Sequence, residues 1–174
     1  MDILHIERML ILLIEFHKYQ DVNIARLKHL YRCSIVDEAL KKNLNVPENE
    51  YILLAEQNFY ADIRDLFNNL GTLFVWEEND VYLSALRIEQ YCDGLLVTWL
   101  ETDPDFRRKG NGRRLLISTI RELKNNSTLK IYAHIHKGNH ASIALHLSCG
   151  FEKISNSAKL LDGSVLPNMQ TYCC

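Results

Sequence analysis

The chain has 174 residues, 47% hydrophobic and 24% charged, an ordinary globular composition that excludes a disordered or fibrous protein. A chain of this length buries about two-thirds of its unfolded surface, enough for one domain that folds without a disulfide or structural metal. Lys and Arg number 20 against 22 Asp and Glu, a net charge of −2, so a dedicated nucleic-acid binder is excluded and any phosphate binding must be local.

From the start of the chain, the longest apolar run is Met9 to Ile14, far short of the ~18 residues that a membrane-spanning helix needs. The opening MDILHIER lacks the basic region and small-residue cleavage site of a secretion signal. Periodicity leaves Met9 to Lys18 open between a buried first strand and a helix continuing from Asp2. A helix is expected from Asp21 as N-cap, turning Ile24, Leu27, Leu30 and Tyr31 inward. A second begins near Tyr51, where Ile52, Ala55, Phe59, Ile63, Leu66, Phe67 and Leu70 build one apolar face that ends at Gly71.

From Thr72 the pattern changes to strands. Thr72 to Glu77, Val81 to Gln90 and Leu95 to Glu101 form an antiparallel meander, with turns at Glu78-Asn79-Asp80 and Cys92-Asp93-Gly94. A polar loop, Asp103 to Gly112, leads into a helix over Arg113 to Lys124. Leu129 to His136 alternates as a strand, Asn139 to Ser148 is a short helix closed by Gly150 as its C′ residue, and Phe151 opens another strand. Strand, helix and strand in that order imply a crossover between parallel strands, so the fold class is α/β with a mixed sheet. The five cysteines are odd in number and contain no C-x-x-C pair, which fits a reducing cytoplasm.

The loop holds the most chemical information. Its glycines let backbone N–H groups converge, and the following helix N-terminus adds positive potential, which suits a pyrophosphate. Arg107, Arg108, Lys109, Arg113 and Arg114 surround it. Taken alone, the same string also reads as a solvated basic turn. A Walker loop needs G-x-x-x-x-G-K-[ST], which the chain lacks, and a dinucleotide fingerprint from Gly110 would need Gly or Ala where Leu115 stands.

What remains, R-x-x-G-x-G from Arg107 to Gly112, resembles the acetyl-CoA pyrophosphate loop of the GNAT superfamily of N-acetyltransferases. The run Asn139 to Phe151 is similar to a later block of that family, N-x-x-A/S-x-x-L-Y-x-x-x-G-F. The resemblance covers Leu95 to Phe151, and the strands from Thr72 fit the family order. It implies a mostly antiparallel mixed sheet flanked by helices, with splayed parallel strands that bind acetyl-CoA. The expected organisation is a single domain over 1–174, with a variable, mainly helical part over 1–71 and the sheet and cofactor core over 72–174. The implied activity is transfer of an acetyl group from acetyl-CoA to a primary amine, with a small-molecule acceptor favoured because no extended charged docking face is evident. The alternatives are a CoA-binding regulatory module without turnover, or acetylation of a protein or peptide. A homodimer is left open.

By the same resemblance, the cofactor would meet Leu100, Glu101, Thr102, Arg107, Arg108, Lys109, Gly110, Asn111, Gly112, Arg113, Asn139, Ser142 and His146. A backbone N–H near Leu100 or Glu101 would polarise the thioester carbonyl. Glu101 is the candidate base, acting through a water, against the plainer reading of a solvated charge beside a basic loop. His146 stands where the family usually has a tyrosine that protonates the leaving thiolate. It is either an acid or a packing residue beside the pantetheine arm. Asp103 and Asp105 are expected to cap or brace the loop against its arginines. His134, His136, His140 and His146 could suggest zinc, but no Cys or carboxylate stands at a supporting spacing, and no metal is expected. Trp76, Trp99 and Tyr132 are candidates for the acceptor pocket, although strand aromatics are usually core. Cys149 is expected to be buried rather than nucleophilic.

Overall fold

The computed structural model describes residues 11–41, 47–126 and 128–174. Its core is a seven-stranded sheet in the order β1-β2-β3-β4-β5-β9-β6. The first four strands are β1 (Ile11–Phe16), β2 (Thr72–Glu78), β3 (Val81–Tyr91) and β4 (Gly94–Thr102), all paired antiparallel, with β2 to β4 forming the expected meander. The ambiguity at the start resolves to a strand over Ile11–Phe16, while Met9 and Leu10 lie outside the described residues. The turn after β2 has positive φ at both Asn79 (48°) and Asp80 (64°), the twist that two-residue hairpins favour.

Three helices lie between β1 and β2: α1 (Ile24–Leu30), α2 (Arg32–Lys41) and α3 (Glu48–Asn68). Asp21 is not the N-cap of α1. It ends a 3-10 turn over Tyr19–Asp21, and Asn23 caps the helix by accepting from the Arg26 N–H at 3.2 Å. The capping chemistry was read correctly but placed two residues early. These helices bury Leu27, Tyr31, Phe59 and Ile63 against Leu73, Val75 and Ala85 on one face of the sheet.

The crossover helix α4 (Asn111–Asn126) packs on the opposite face. There Leu115 and Leu116 meet Phe74, Leu86, Ile88 and Val97. The alternation of Leu73 and Val75 against Phe74 is the period-two pattern of a strand buried on both faces. Strand β5 (Lys130–His136) runs parallel to β4, and α5 (His140–Ser148) leads through Gly150 (φ 89°) into β6 (Glu152–Ser155).

Two features of the last segment carry no local signal. A small hairpin, β7 (Ala158–Lys159) with β8 (Val165–Leu166), forms a sheet of its own. Strand β9 (Met169–Cys173) then inserts between β5 and β6, antiparallel to both.

One consequence of this topology positions the site. The parallel ladder between β4 and β5 extends only from Gly94 to Val97 and from Lys130 to Ala133. Beyond it β5 keeps only β9, on its other edge, and β4 and β5 splay apart. The end of β4 is thereby left open toward the Asp103–Gly112 loop.

Candidate active site

A cavity of about 640 Å³ lies at this splay, between the end of β4, the loop, and the N-termini of α4 and α5. Of the residues that the resemblance implies, it brings together Leu100, Glu101, Thr102, Arg107, Arg108, Gly110, Asn111, Gly112, Arg113, Asn139 and Ser142. Ala141 and Leu145 also line it. Lys109 and His146 do not.

The two loop glycines serve different physical needs. Gly110 has φ of +81°, the left-handed region where a side chain is strained, and its carbonyl accepts from the Arg114 N–H at 2.9 Å to start α4. At Gly112 a Cβ would stand 2.9 Å from Thr102 Oγ1, so the helix start can approach β4 only without a side chain. Asn111 is buried and donates from Nδ2 to the Phe106 carbonyl at 3.1 Å, closing the loop on itself. A left-handed glycine, a side-chain-free helix start and Arg107, Arg108 and Arg113 at one mouth fit a diphosphate.

The cations divide between the two sides of the loop. Lys109 and Arg114 line a different depression beside Phe106. Arg107 is held inward, with Nε donating to the Thr102 carbonyl at 3.1 Å and Nη2 lying 3.0 Å from Glu101 Oε1. Asp103 caps the short turn after β4 by accepting from the Asp105 N–H at 2.9 Å. Its charge partner is not a loop arginine but Arg32 of α2, through a two-pronged pair at 2.8 and 3.1 Å. Burial alone would raise the Asp103 carboxyl, but Arg32 and the Asp105 N–H outweigh it and hold it below the ordinary carboxylate range.

Glu101 also reaches the N-terminal helices, since Ser34 Oγ donates to its Oε2 at 2.5 Å. Sequence reasoning missed Arg32 and Ser34, because contacts across about 70 residues leave no spacing signal.

Between Thr98 and Glu101 the ladder with β3 breaks. Arg87 pairs with Thr98 and Ala85 with Glu101, so Trp99 and Leu100 stand opposite Leu86 alone. This β-bulge puts Trp99 at φ 49°, and the buried Tyr31 hydroxyl pins it by donating to the Trp99 carbonyl at 2.6 Å. Leu100 lies in the gap of that ladder and beyond the end of the β5 ladder.

A second cavity, of about 530 Å³, opens on the α3 face of the same bulge. It is walled by Asp62 and Asp65 of α3, Arg87 and Glu89 of β3, Trp99, and Leu161 from the β7–β8 hairpin. Of the candidate aromatics only Trp99 lines it, at 42% exposure. Trp76 packs against the α4-side core, and the Tyr132 hydroxyl donates to Asp93 at 2.6 Å. Trp99 and Leu100, neighbours in the chain, therefore open into different cavities.

His146 is 3% exposed and packs edge-on against Phe151, ring centroids 5.0 Å apart. Its Nδ1 lies 2.8 Å from the Ser142 carbonyl, which can only accept, so Nδ1 carries the proton. Burial lowers its pKa and outweighs the bond to Ser142, leaving a neutral ring at pH 7. Asn139 caps α5 by accepting from the Ser142 N–H at 3.0 Å. Cys149 is half-buried with its thiol pKa raised by burial, the inert environment expected of it. His134 faces Thr171 and Tyr91. Among the described residues the group able to hold a metal is His29, Asp103 and Asp105, and Arg32 already occupies both its carboxylates.

The chain is 39% identical over 100 residues, 57% of its length, to the [ribosomal protein bS18]-alanine N-acetyltransferase of Salmonella typhimurium strain LT2. The match spans 64% of that relative's length. Among solved structures, the PaiA N-acetyltransferase of Thermoplasma acidophilum in complex with coenzyme A superposes with a TM-score of 0.65 at 16% identity, covering 94% of this chain and 98% of the other. The ribosomal-protein-S18-alanine N-acetyltransferase of Escherichia coli gives 0.61 at 18% identity, covering 94% and 92%. These likenesses show a shared fold. A family model described as Acetyltransferase (GNAT) family matches residues 35–151, well over half of the chain, and the chain belongs to that family.

Proposed function

We propose that this protein transfers the acetyl group of acetyl-CoA to a primary amine of a small molecule, by direct attack within a ternary complex. The observation that carries this reading is the β4 bulge, which separates a cavity built for a diphosphate from a second cavity carrying three carboxylates. A donor and an acceptor can approach one point from opposite sides.

Within this reading the loop over Arg107–Gly112, with Arg108, Arg113 and the α4 N-terminus, holds the pyrophosphate of acetyl-CoA, and Asn139 and Ser142 border the pantetheine arm. The Leu100 N–H, lying in the ladder gap, polarises the thioester carbonyl. Glu101 takes a proton from the incoming ammonium through a water, because an ammonium has no lone pair. The amine nitrogen bonds to the acetyl carbon, the carbon–sulfur bond breaks, and the thiolate leaves. The second proton shed by nitrogen is available to that thiolate. His146, neutral and bonded within its own helix, positions α5 by packing. The chain works as one unit, because Arg32 and Ser34 of α2 hold Asp103 and Glu101. The setting is cytoplasmic, in keeping with five unpaired cysteines.

A second reading, acetylation of a protein α-amine, is favoured by the 39% identity to an enzyme named for that substrate. Thiol release from acetyl-CoA, measured against small amines and against peptides with free N-termini, separates the two. Release with small amines supports the proposal, and release with peptides alone moves the assignment to the second reading. No release from either, with acetyl-CoA bound, leaves a binding module.

A further inference from the structure

Arg87 stands in the middle of β3, a charged residue only 3% exposed. Its Nε and Nη2 have no hydrogen-bond partner among the described residues. Folded proteins keep few such buried donors, and those they keep call for an explanation. The two atoms form one edge of the guanidinium, whose parallel N–H groups match the two oxygens of a carboxylate.

The surroundings show why no protein group fills that edge. The Trp99 ring covers the guanidinium face, with Cζ 4.1 Å from the ring centroid. Glu89, which lines the same cavity, accepts from the Thr98 hydroxyl at Oε1, 2.5 Å away. Burial lowers the Arg87 pKa, while Tyr31, Asp62 and Glu89 act to raise it, and a guanidinium stays charged under such opposition. At the walls of the cavity lie carboxylates for an ammonium and Arg87, whose unfilled fork is itself closed to solvent, for an anion. The remaining walls are mixed: Leu66, Trp99 and Leu161 are apolar, and Asn69 and Gln90 are polar.

We infer that the acceptor is an α-amino acid, whose carboxylate is held by the Nε–Nη2 edge of Arg87. The inference rests on the proposed acetyl transfer and names its substrate class. A polyamine would satisfy the carboxylates but face Arg87 with like charge. A plain aliphatic amine would leave the fork empty. The N-terminus of a peptide would offer a neutral carbonyl, a weaker partner for a buried guanidinium than a carboxylate.

The test is calorimetric titration of the full chain, saturated with CoA, with four probes that share one side chain. They are L-leucine, L-leucinamide, leucylglycine and 3-methylbutylamine. Leucine is expected to bind tightest, with 3-methylbutylamine weaker by about 10- to 100-fold, the scale of one charge-assisted bidentate pair. Arg87→Gln should bring leucine down to the level of 3-methylbutylamine without moving the latter. Arg87→Lys, which keeps the charge but not the fork, should lose nearly as much. Retained CoA protection in a thermal melt shows that each variant is folded, and the wild-type series needs no variant at all. Equal affinity across the four probes, or no binding by any, overturns the inference. Tightest binding by leucylglycine or leucinamide also overturns it and gives the cavity to a peptide α-amine. If leucine binds in an Arg87-dependent way but no thiol is released, the carboxylate site stands and acetyl transfer falls.

Discussion

The cavity at the splay of β4 and β5 takes its walls from three short runs of chain, residues 100–102, 107–113 and 139–145. The cavity on the other side of the bulge draws on α3, β3, β4 and the loop after β7, with no two of its charged residues in a common motif. The first works largely through backbone: a left-handed glycine, a helix N-terminus, a glycine pressed against Thr102. The second works through side chains, namely Asp62, Asp65, Arg87, Glu89 and Trp99. Backbone chemistry fixes residue types at fixed spacing, because only glycine fits where a Cβ collides or φ is positive. Side-chain chemistry can be exchanged position by position without disturbing the chain path. One side of the bulge is therefore built to accept a constant group, and the other is free to define a particular substrate.

The largest effect is expected at Glu101, which follows the bulge and lines the first cavity. Glu101→Gln keeps the shape and the contact with Ser34 but cannot take a proton. The expected loss is about 10²–10⁴ in kcat with little change in acetyl-CoA binding. Near-normal turnover in steady-state assays would make Glu101 a brace for Arg107 and nothing more.

Gly110→Asp probes whether the two sides are separable. Its Cβ meets nothing within 4 Å, so the fold should survive the strain of φ +81° while an anion enters the diphosphate site. At a hundredfold excess over Kd, acetyl-CoA should stabilise the wild type by about 2.7 kcal/mol. In a thermal melt this protection should vanish in the variant, while acceptor binding measured by calorimetry is unchanged. Protection equal to wild type would remove the loop from the cofactor site, and a parallel loss of acceptor binding would show that the cavities are not independent.

The smallest effect concerns His146. Its pKa is lowered in the fold, so the unfolded chain binds the proton more readily. The stability linked to His146 is complete above the unfolded value near ~6.5 and is lost as pH falls from there toward the lowered folded value. His146→Phe should flatten the decline in Tm on that acidic side. It should leave the rate between pH 7 and 9 rising with amine deprotonation, as in the wild type. A falling limb in that range that disappears in the variant would restore His146 as an acid.

Legibility followed the same division. The strands from Thr72 to Thr102 show as β-branched and aromatic runs, and α3 shows as a three- and four-residue apolar rhythm, because both patterns follow from burial of a local face. Gly110, Gly112 and Asn139 were legible because backbone geometry demands them. Arg87 was not. In sequence it is one of several polar residues of β3, beside Ser84, Glu89 and Gln90, and its meaning depends on Trp99 and Asp62, brought to it by sheet pairing and helix docking. The Asn23 cap was displaced because Asp21 and Asn23 satisfy the same chemistry two residues apart. The partner of Asp103 was misplaced because Arg32 lies 71 residues away.

The insertion of β9 bears on how the chain reaches this state. Strand β6 joins the sheet only through β9, and β9 also closes the free edge of β5, with Cys174 and Ile131 exchanging hydrogen bonds at 2.9 and 3.1 Å. As the chain leaves the ribosome, β1 to β4 can zip in order, because each neighbour is the next to appear. Strand β5 must then wait, with Ile131, Ala133 and Ile135 along an unpaired edge, until Met169–Cys173 has emerged. Such an edge is the kind that captures other chains, and contacts between distant segments form slowly. Strand β9 is thus the one that decides whether the nascent sheet closes on itself or on a neighbour.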